Sequence, residues 1–211
     1  MVYSYKENLL LFFILLFIPS IVFSNNGSLN TEVNSKVKKC VACHTITGNS
    51  LVAAWPKIAG QHSEYMFKQL IEYKKGKDGN RYDPTMLGML QGLNENDMMD
   101  LSVYFSKQIL EKGKVKMDKN KFNLGKKIYL YGEEKNGITA CVGCHGFDAT
   151  GNSLANFPSL KWQHKDYLIT QLKKFKTHER SNDINAIMRD ISINISDDQM
   201  DALAVYISCM E

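Results

Sequence analysis

The sequence predicts an all-α protein built from two tandem copies of one helical unit. From Gln61 onward, the second half of the 211-residue chain repeats the first at a constant offset of 102 residues, as from Gln61 to Gln163. Apolar residues in each copy recur at the three- and four-residue spacing of a helix face, and no stretch alternates convincingly as a strand would. Each copy also contains a Cys-x-x-Cys-His run. The two copies are therefore expected to hold equivalent sites.

Residues 1–24 have the character of an export leader. Residues 9–23 are almost wholly apolar, but this run of 15 residues is shorter than the roughly 20 that a membrane-spanning helix needs. The run fits the apolar region of a secretory signal, with cleavage after Ser24. Lys6 is offset by Glu7, so an uncleaved N-terminal anchor stays an alternative. In either case the remaining chain is expected in the periplasm.

The repeat also predicts the domain organisation. Residues 25–110 and 122–211 form the two domains, and each contains a Thr-Gly-Asn-Ser segment, a proline turn and a Gln-His pair. Residues 111–121 are rich in lysine and poor in apolar side chains, which predicts an exposed linker. Units of this size have small cores, so neither is expected to fold well without a bound group that adds apolar mass.

Each copy is predicted to contain one helix near its middle and a second, closing helix at its end. The first is marked by residues on one face: Tyr65, Met66, Leu70 and Tyr73 in the first copy, and Tyr167, Leu168, Leu172 and Phe175 in the second. The closing helix of the second copy opens with a capping box, in which Ser196 caps a free amide and Gln199 reaches back. Asn94 and Asp97 form a weaker version of this box in the first copy.

The cysteine pattern predicts covalent haem. Four of the five cysteines lie in the runs Cys40-Val41-Ala42-Cys43-His44 and Cys141-Val142-Gly143-Cys144-His145. Two thiols one helical turn apart can each bond a vinyl group of one porphyrin, and the following histidine can bind the iron. Disulfides would leave that histidine unexplained, and zinc would require further ligands that the sequence does not offer. Cys209 is expected to be a small buried residue, with an intermolecular disulfide as the alternative.

A methionine is the expected second axial ligand in each copy. Met86 and Met188 are related by the offset of 102 residues, and each lies seven residues before the apolar residue that precedes the closing helix. Both follow a polar, turn-prone stretch, so a loop is expected to carry the thioether to the iron. Methionine ligation gives a closed site of high potential. The alternatives are that both are core methionines, or that Met89 replaces Met86.

One further histidine and one proline recur in each copy. His62 and His164 lie at the start of a helix, and we expect them to make hydrogen bonds near the haem edge; bis-histidine ligation is the alternative. The carbonyls of Pro56 and Pro158 could each accept the second ring N–H of the axial histidine in their own copy, which would fix the ring.

The charge balance argues against a nucleic-acid partner. The formal charge is +4, from 26 basic and 22 acidic residues, and two haems would bring propionates that make the loaded protein nearly neutral. No dominant basic field is therefore left to bind phosphates. The lysines of residues 111–121 could help to dock an acidic partner, although such runs are usually only solvated.

Over residues 36–211 the chain resembles the dihaem cytochrome c4 family. The segments GNSLANFPSLKWQHKDYLITQL and NAIMRDISINISDDQMDALAVYI are similar to the second domain of that family. The resemblance implies two class I cytochrome c folds facing each other about a pseudo-twofold axis. It implies haem attachment at Cys40, Cys43, Cys141 and Cys144, with axial ligands His44, Met86, His145 and Met188. One departure is Lys161-Trp162 in the second copy, where the family and the first copy have glycine before Gln-His.

The same resemblance implies a function. The protein is expected to be a periplasmic electron carrier, not an enzyme, that takes electrons from a quinol-oxidising complex and delivers them to a terminal oxidase, in solution or weakly membrane-associated. One alternative is a haem subunit of a flavocytochrome-type dehydrogenase, for example one that oxidises sulfide. A dihaem peroxidase is the other alternative, but it needs an open iron, which the paired methionines oppose.

Overall fold

The computed structural model describes residues 26–113 and 115–211, with side chains from residue 35 onward. The secondary structure of these residues consists of nine α-helices and three short 3-10 turns. The expected leader, residues 1–24, lies outside this part of the chain. The described segments contain no strands, only isolated bridges such as the antiparallel pair Arg81–Arg180. None of their helices combines the length and apolar character needed to cross a bilayer. The predicted all-α fold is confirmed.

The described part of the first half, from residue 26 onward, contains four helices. They are α1 (Asn26–His44), α2 (Ser63–Lys74), α3 (Pro84–Met89) and α4 (Glu95–Ser106). Helix α4 packs against α1 and α2. The buried core between them consists of Val37, Met66, Leu90, Leu93, Met98, Leu101 and Phe105. Helix α2 contains the apolar face that its sequence spacing predicts.

The second half contains five helices. They are α5 (Lys119–Tyr131), α6 (Val142–His145), α7 (Lys165–Lys176), α8 (Ile187–Ser192) and α9 (Asp197–Cys209). Helix α9 packs against α5 and α7. Its core includes Ile128, Tyr129, Ile138, Leu168, Ile195, Met200, Leu203 and Ile207. Helix α5 begins at Lys119, inside the segment expected to be a linker, because the Asp118 carboxylate caps it by accepting from the amides of Asn120 and Lys121.

Both closing helices begin with a complete capping box. In α9 the amide of Gln199 donates to the Ser196 hydroxyl, and the amide of Ser196 donates to the Gln199 side chain. In α4 the same reciprocal pair joins Asn94 and Asp97, with both distances at 2.9 Å. The predicted boxes are confirmed, and the one in α4 is as complete as the one in α9.

Paired hydrogen bonds join the two halves about a pseudo-twofold axis. The Gln61 side chain bonds both backbone groups of Ser159, and the Gln163 side chain bonds both backbone groups of Lys57. Each half therefore contributes the same type of contact to the other. This arrangement brings the two Cys-x-x-Cys-His turns to a common interior.

Candidate haem sites

One cavity of about 650 Å³ extends through both halves. It is lined by the residues predicted to hold haem, namely Cys40, Cys43, His44 and Met86 from the first half and Cys141, Cys144, His145 and Met188 from the second. Apolar side chains of both cores, such as Leu90 and Leu203, complete its walls. The structure thus brings the candidate ligands of each copy to one apolar space, and the two spaces are continuous.

The cysteines of the two runs face the cavity without a disulfide between them. No disulfide joins any of the five cysteines. Burial, with a smaller contribution from Cys43, raises the pKa of Cys40 to about 11, and burial raises the pKa of Cys141 to about 11. Zinc binds thiolates, and no cluster of three or more metal-ligating side chains was found among the described residues. The alternatives of disulfide and zinc therefore have no support from this arrangement.

Each histidine after the cysteines is oriented by a proline carbonyl. The Nδ1 atom of His44 lies 2.9 Å from the Pro56 oxygen, and that of His145 lies 3.0 Å from the Pro158 oxygen. Because a carbonyl only accepts, Nδ1 bears the proton and Nε2 keeps a lone pair. Burial lowers the pKa of both rings even though the carbonyl bonds oppose this change, so they are neutral at neutral pH. The expected role of the prolines is confirmed.

Met86 and Met188 lie in short helices, so the expectation of a loop is wrong. In the first half, Pro84 occupies the first helical position and the Asp83 carboxylate accepts from the amide of Met86, which starts α3. In the second half, left-handed conformations at Asn185 and Ala186 lead into α8, whose first turn contains Met188. A helix holds the thioether more rigidly than a loop would.

Met89 remains a competitor to Met86 in the first half. It follows Met86 by three residues on α3, lines the same cavity and is 42% exposed. At the equivalent position of the second half, Ile191 lines the cavity. The surroundings of the two candidate methionine ligands, Met86 and Met188, are therefore not identical.

The repeated histidines connect the two halves and do not line the cavity. Nε2 of His62 donates to the carbonyl of Thr150 at 2.9 Å, and Nε2 of His164 donates to the carbonyl of Ser50 at 2.8 Å. The expected hydrogen-bonding role is confirmed, but the partner is the backbone of the opposite half. Bis-histidine ligation gains no support, because neither ring is part of the cavity wall.

Trp162 keeps the backbone conformation of its glycine counterpart. Gly60 has φ 65° and Trp162 has φ 53°, both left-handed. The amide of Gly60 donates to Phe105 and that of Trp162 donates to Ile207, each in the closing helix of its own half. The Trp162 indole also donates to the Met210 carbonyl at 2.7 Å, which helps to hold a conformation that side chains rarely adopt.

Two buried arginines were not identified from the sequence. Arg81 and Arg180 are each 5% exposed, line the cavity and donate across the interface, to the hydroxyls of Tyr167 and Tyr65 respectively. No carboxylate in the described part of the chain bonds either guanidinium, so both positive charges face the cavity. Comparing the two copies at the 102-residue offset did not pair Arg81 with Arg180, because they are not separated by 102 residues. Their rarity was a usable signal, since only Arg189 accompanies them in the chain.

The fold and the paired sites define a two-domain c-type cytochrome. The family model for cytochrome c matches residues 35–108 and 123–211. Cytochrome c4 of Thiocapsa roseopersicina is 38% identical over 169 residues, 80% of this chain and 85% of that protein. The crystal structure of reduced recombinant cytochrome c4 from Pseudomonas stutzeri matches with a TM-score of 0.78 at 37% identity, covering 84% of this chain and 96% of that one. The chain belongs to the cytochrome c4 family.

Family membership makes the protein an electron-transfer protein with two covalently bound c-type haems. The cysteine pairs fit the two attachment motifs, and the continuous apolar cavity fits the cofactors. A relative whose name states a different role is also similar. The thiosulfate dehydrogenase electron acceptor of Thiomonas intermedia is 31% identical over 171 residues, 80% of this chain and 77% of that protein.

Proposed function

We propose that this dihaem electron carrier works in the periplasm, where it takes electrons from a quinol-oxidising complex and delivers them to a terminal oxidase. Residues 1–24 would direct its export, and weak membrane association is compatible with such partners. In this proposal the domains are residues 25–110 and 122–211, joined by residues 111–121. The observation that supports it is the pair of equivalent ligand sets on one continuous cavity.

The ligand assignment follows the two halves. Haem attachment is proposed at Cys40 and Cys43 and at Cys141 and Cys144, with the iron held by His44 and Met86 and by His145 and Met188. Each haem supplies a one-electron couple at its iron. The histidines are neutral and already oriented by the proline carbonyls, so their Nε2 atoms need no deprotonation or rotation. The methionines fill the position that a peroxidase would keep open.

Arg81 and Arg180 suit the carboxylates that haem carries. Both guanidiniums are buried, positively charged and directed to the cavity, where a cation without an anionic partner is unfavourable. Haem carboxylates would compensate these charges. The charges are also expected to favour the reduced iron, because the oxidised iron carries one more positive charge.

Absorption spectroscopy with haem quantitation tests the assignment. The purified full-length protein should contain two covalent haems and show the weak far-red methionine–iron band of low-spin sites. Met86→Ala and Met188→Ala should each remove about half of that band, whereas Met89→Leu should leave it intact. A high-spin ferric spectrum with peroxide turnover would instead establish the peroxidase alternative.

A second candidate function is electron acceptance from a dehydrogenase. The similarity to the thiosulfate dehydrogenase electron acceptor of Thiomonas intermedia favours it, and the flavocytochrome-type subunit belongs to the same class. Stopped-flow measurements of how fast each candidate donor reduces this protein distinguish the two functions. Rapid reduction by a thiosulfate dehydrogenase with thiosulfate, or co-purification with a flavoprotein, favours this role. Reduction by a quinol-oxidising complex and rapid oxidation by a terminal oxidase favour the first proposal.

A further inference from the structure

One peptide group connects each candidate axial histidine to the opposite half of the molecule. The Pro56 carbonyl accepts from His44, and the amide of the same peptide bond, that of Lys57, donates to Oε1 of Gln163 at 2.9 Å. In the second half, the Pro158 carbonyl accepts from His145, and the Ser159 amide of that peptide bond donates to Oε1 of Gln61 at 2.9 Å. Each chain of hydrogen bonds starts on one half and ends on the histidine of the other.

The orientation of Gln163 is fixed by its neighbours. Its Oε1 accepts from two backbone amides, those of Lys57 and His164, both at 2.9 Å, and its Nε2 donates to the Lys57 carbonyl at 2.8 Å. Rotating the amide by 180° would place Nε2 against two donors. Gln163 is 8% exposed and Lys57 is 6% exposed. Water therefore has little access to replace these bonds.

The same pattern fixes Gln61. Its Oε1 accepts from the amides of Ser159 at 2.9 Å and His62 at 3.0 Å, and its Nε2 donates to the Ser159 carbonyl at 2.8 Å. The two glutamines are therefore equivalent, although one acts from each half.

A peptide group transmits polarisation between its two ends. An acceptor on the N–H shifts electron density toward the carbonyl oxygen, which becomes a stronger acceptor for the next donor in the chain. Here that donor is the Nδ1–H of the axial histidine. A stronger bond at Nδ1 makes the Nε2 lone pair more basic, and such hydrogen bonds to metal-bound histidine are known to tune metal sites.

We propose that Gln163 and Gln61 are positioning residues that tune the haem of the opposite half through one peptide group each. Gln163 acts on the haem held by His44, and Gln61 acts on the haem held by His145. The inference rests on the proposed function, because it takes these two histidines as axial ligands. A more basic histidine stabilises the oxidised iron. Each glutamine therefore lowers the reduction potential of the haem in the opposite half.

Reduction potentials of single variants test this crossed arrangement. In the full-length, two-haem protein, Gln163→Leu and Gln61→Leu are compared with the parent by spectroelectrochemistry. Each variant should raise one of the two couples, and the two variants should raise different couples. The expected change is about threefold to tenfold in the equilibrium constant for reduction, or about 30–60 mV for a one-electron couple. The hyperfine-shifted Nδ1–H proton resonance of only one histidine should move in each variant.

Gln163→Glu distinguishes the effect of losing the hydrogen-bond acceptor from the effect of disturbing the packing. A glutamate keeps an oxygen on the Lys57 amide, whether neutral or ionised, so it should hold the couple at or below the parent value while Gln163→Leu raises it. If Gln163→Leu does not yield folded protein, Gln163→Glu still tests the proposal, because a rise in its reduction potential would contradict it.

His164→Ala is the matched control. It removes another bond between the halves, to the Ser50 carbonyl, without removing either glutamine side chain. Its potentials should stay near those of the parent. The inference is overturned if His164→Ala reproduces the shift, if both leucine variants raise the same couple, or if neither moves a couple while the far-red band is intact. Loss of that band in the parent would count instead against the ligand assignment.

Discussion

Asp97 combines two stabilising roles in a single side chain. It closes the capping box of α4 by accepting from the Asn94 amide, and it forms an ion pair with Lys36 of α1. The Lys36 hydrogen bond, followed by that of the Asn94 amide, lowers the pKa of Asp97 below its usual range. One carboxylate thus connects the start of the closing helix to the helix that carries the first cysteine pair.

This lowered pKa predicts a pH dependence for the first half. A carboxylate whose folded pKa is depressed contributes stability above its unfolded pKa, about 3.9, and loses it as pH falls through the folded value. Asp97→Asn should therefore reduce stability at pH 6, and by progressively less as the pH falls through the folded pKa, because the parent side chain is then increasingly protonated as well. Denaturant unfolding followed at several pH values measures this. An equal loss at both ends of the range would contradict the prediction.

At the level of elements, the crossing of α5 and α9 depends on one glycine. A Cβ atom at Gly125 would lie 2.0 Å from the carbonyl oxygen of Ala202, so the two helices could not keep their present separation. This close approach buries Ile128 and Tyr129 of α5 against α9. The glycine is therefore needed for space, not for an unusual backbone conformation.

Gly125→Ala should destabilise the second half. We expect a loss of about 1–3 kcal/mol, the usual range for overpacking, or more because the obstructing atom belongs to the backbone. Asn123→Ala, at an exposed position of the same helix, serves as the control and should change little. Thermal unfolding monitored by circular dichroism gives both values. Equal stability of the two variants would show that α5 and α9 can separate without loss.

The cap of α9 gives a smaller and more local effect. Ser196→Ala removes the hydroxyl that accepts from Gln199, which typically costs about 1 kcal/mol. Ser196→Asp, which restores an acceptor at the helix N-terminus, should recover most of this stability. Denaturant midpoints of the three proteins provide the comparison, and a failure of Asp to recover stability would point to a role beyond capping.

Local rules explain why most helices were predictable. The apolar spacing of α2 and α7 and the boxes of α4 and α9 need only residues within a few positions of each other. Helix α3, which contains Met86, also follows a local rule, because the Asp83-Pro84 pair is a typical helix start. Two left-handed residues, Asn185 and Ala186, precede Met188. Asparagine adopts this conformation more readily than most residues but alanine does not, so local preference predicts only part of this turn.

The interface was only partly predictable. The repeat predicted equivalent sites in the two halves, and the role of the Pro56 and Pro158 carbonyls followed from it. The partners across the interface depend on how two folded halves meet, which the sequence does not encode locally. Arginine is rare enough in the chain to mark Arg81 and Arg180, but their partners Tyr167 and Tyr65 follow only from the way the halves meet.

At the scale of the whole molecule, the two arginines belong to both haem sites at once. They are joined by a backbone bridge, and each also donates to the side chains of Gln69 and Gln171, one glutamine from each half. Their charge should therefore act on both couples. In this respect the arginines differ from Gln61 and Gln163, each of which is proposed to act on one histidine.

Arg180→Gln should lower both reduction potentials, because removing a buried cation favours the oxidised iron. We expect about a threefold to tenfold change per couple, or about 30–60 mV, with Arg180→Lys intermediate. Spectroelectrochemistry of the two variants and the parent measures this. A shift confined to one couple would mean that the cluster does not serve both haems.

The paired contacts between the halves have the form of an interface between two identical subunits, made within one chain. The segment after α4 is held to the first half by Asn49, which bonds the Ile109 carbonyl and the Glu111 amide, and α5 starts eight residues later. So short a tether keeps the halves at an effective concentration in the millimolar range, and individually weak contacts suffice to keep them together. Cleavage at a protease site placed at residues 115–117 would make their pairing bimolecular. The halves would then separate on dilution, and the two potentials would become a function of protein concentration.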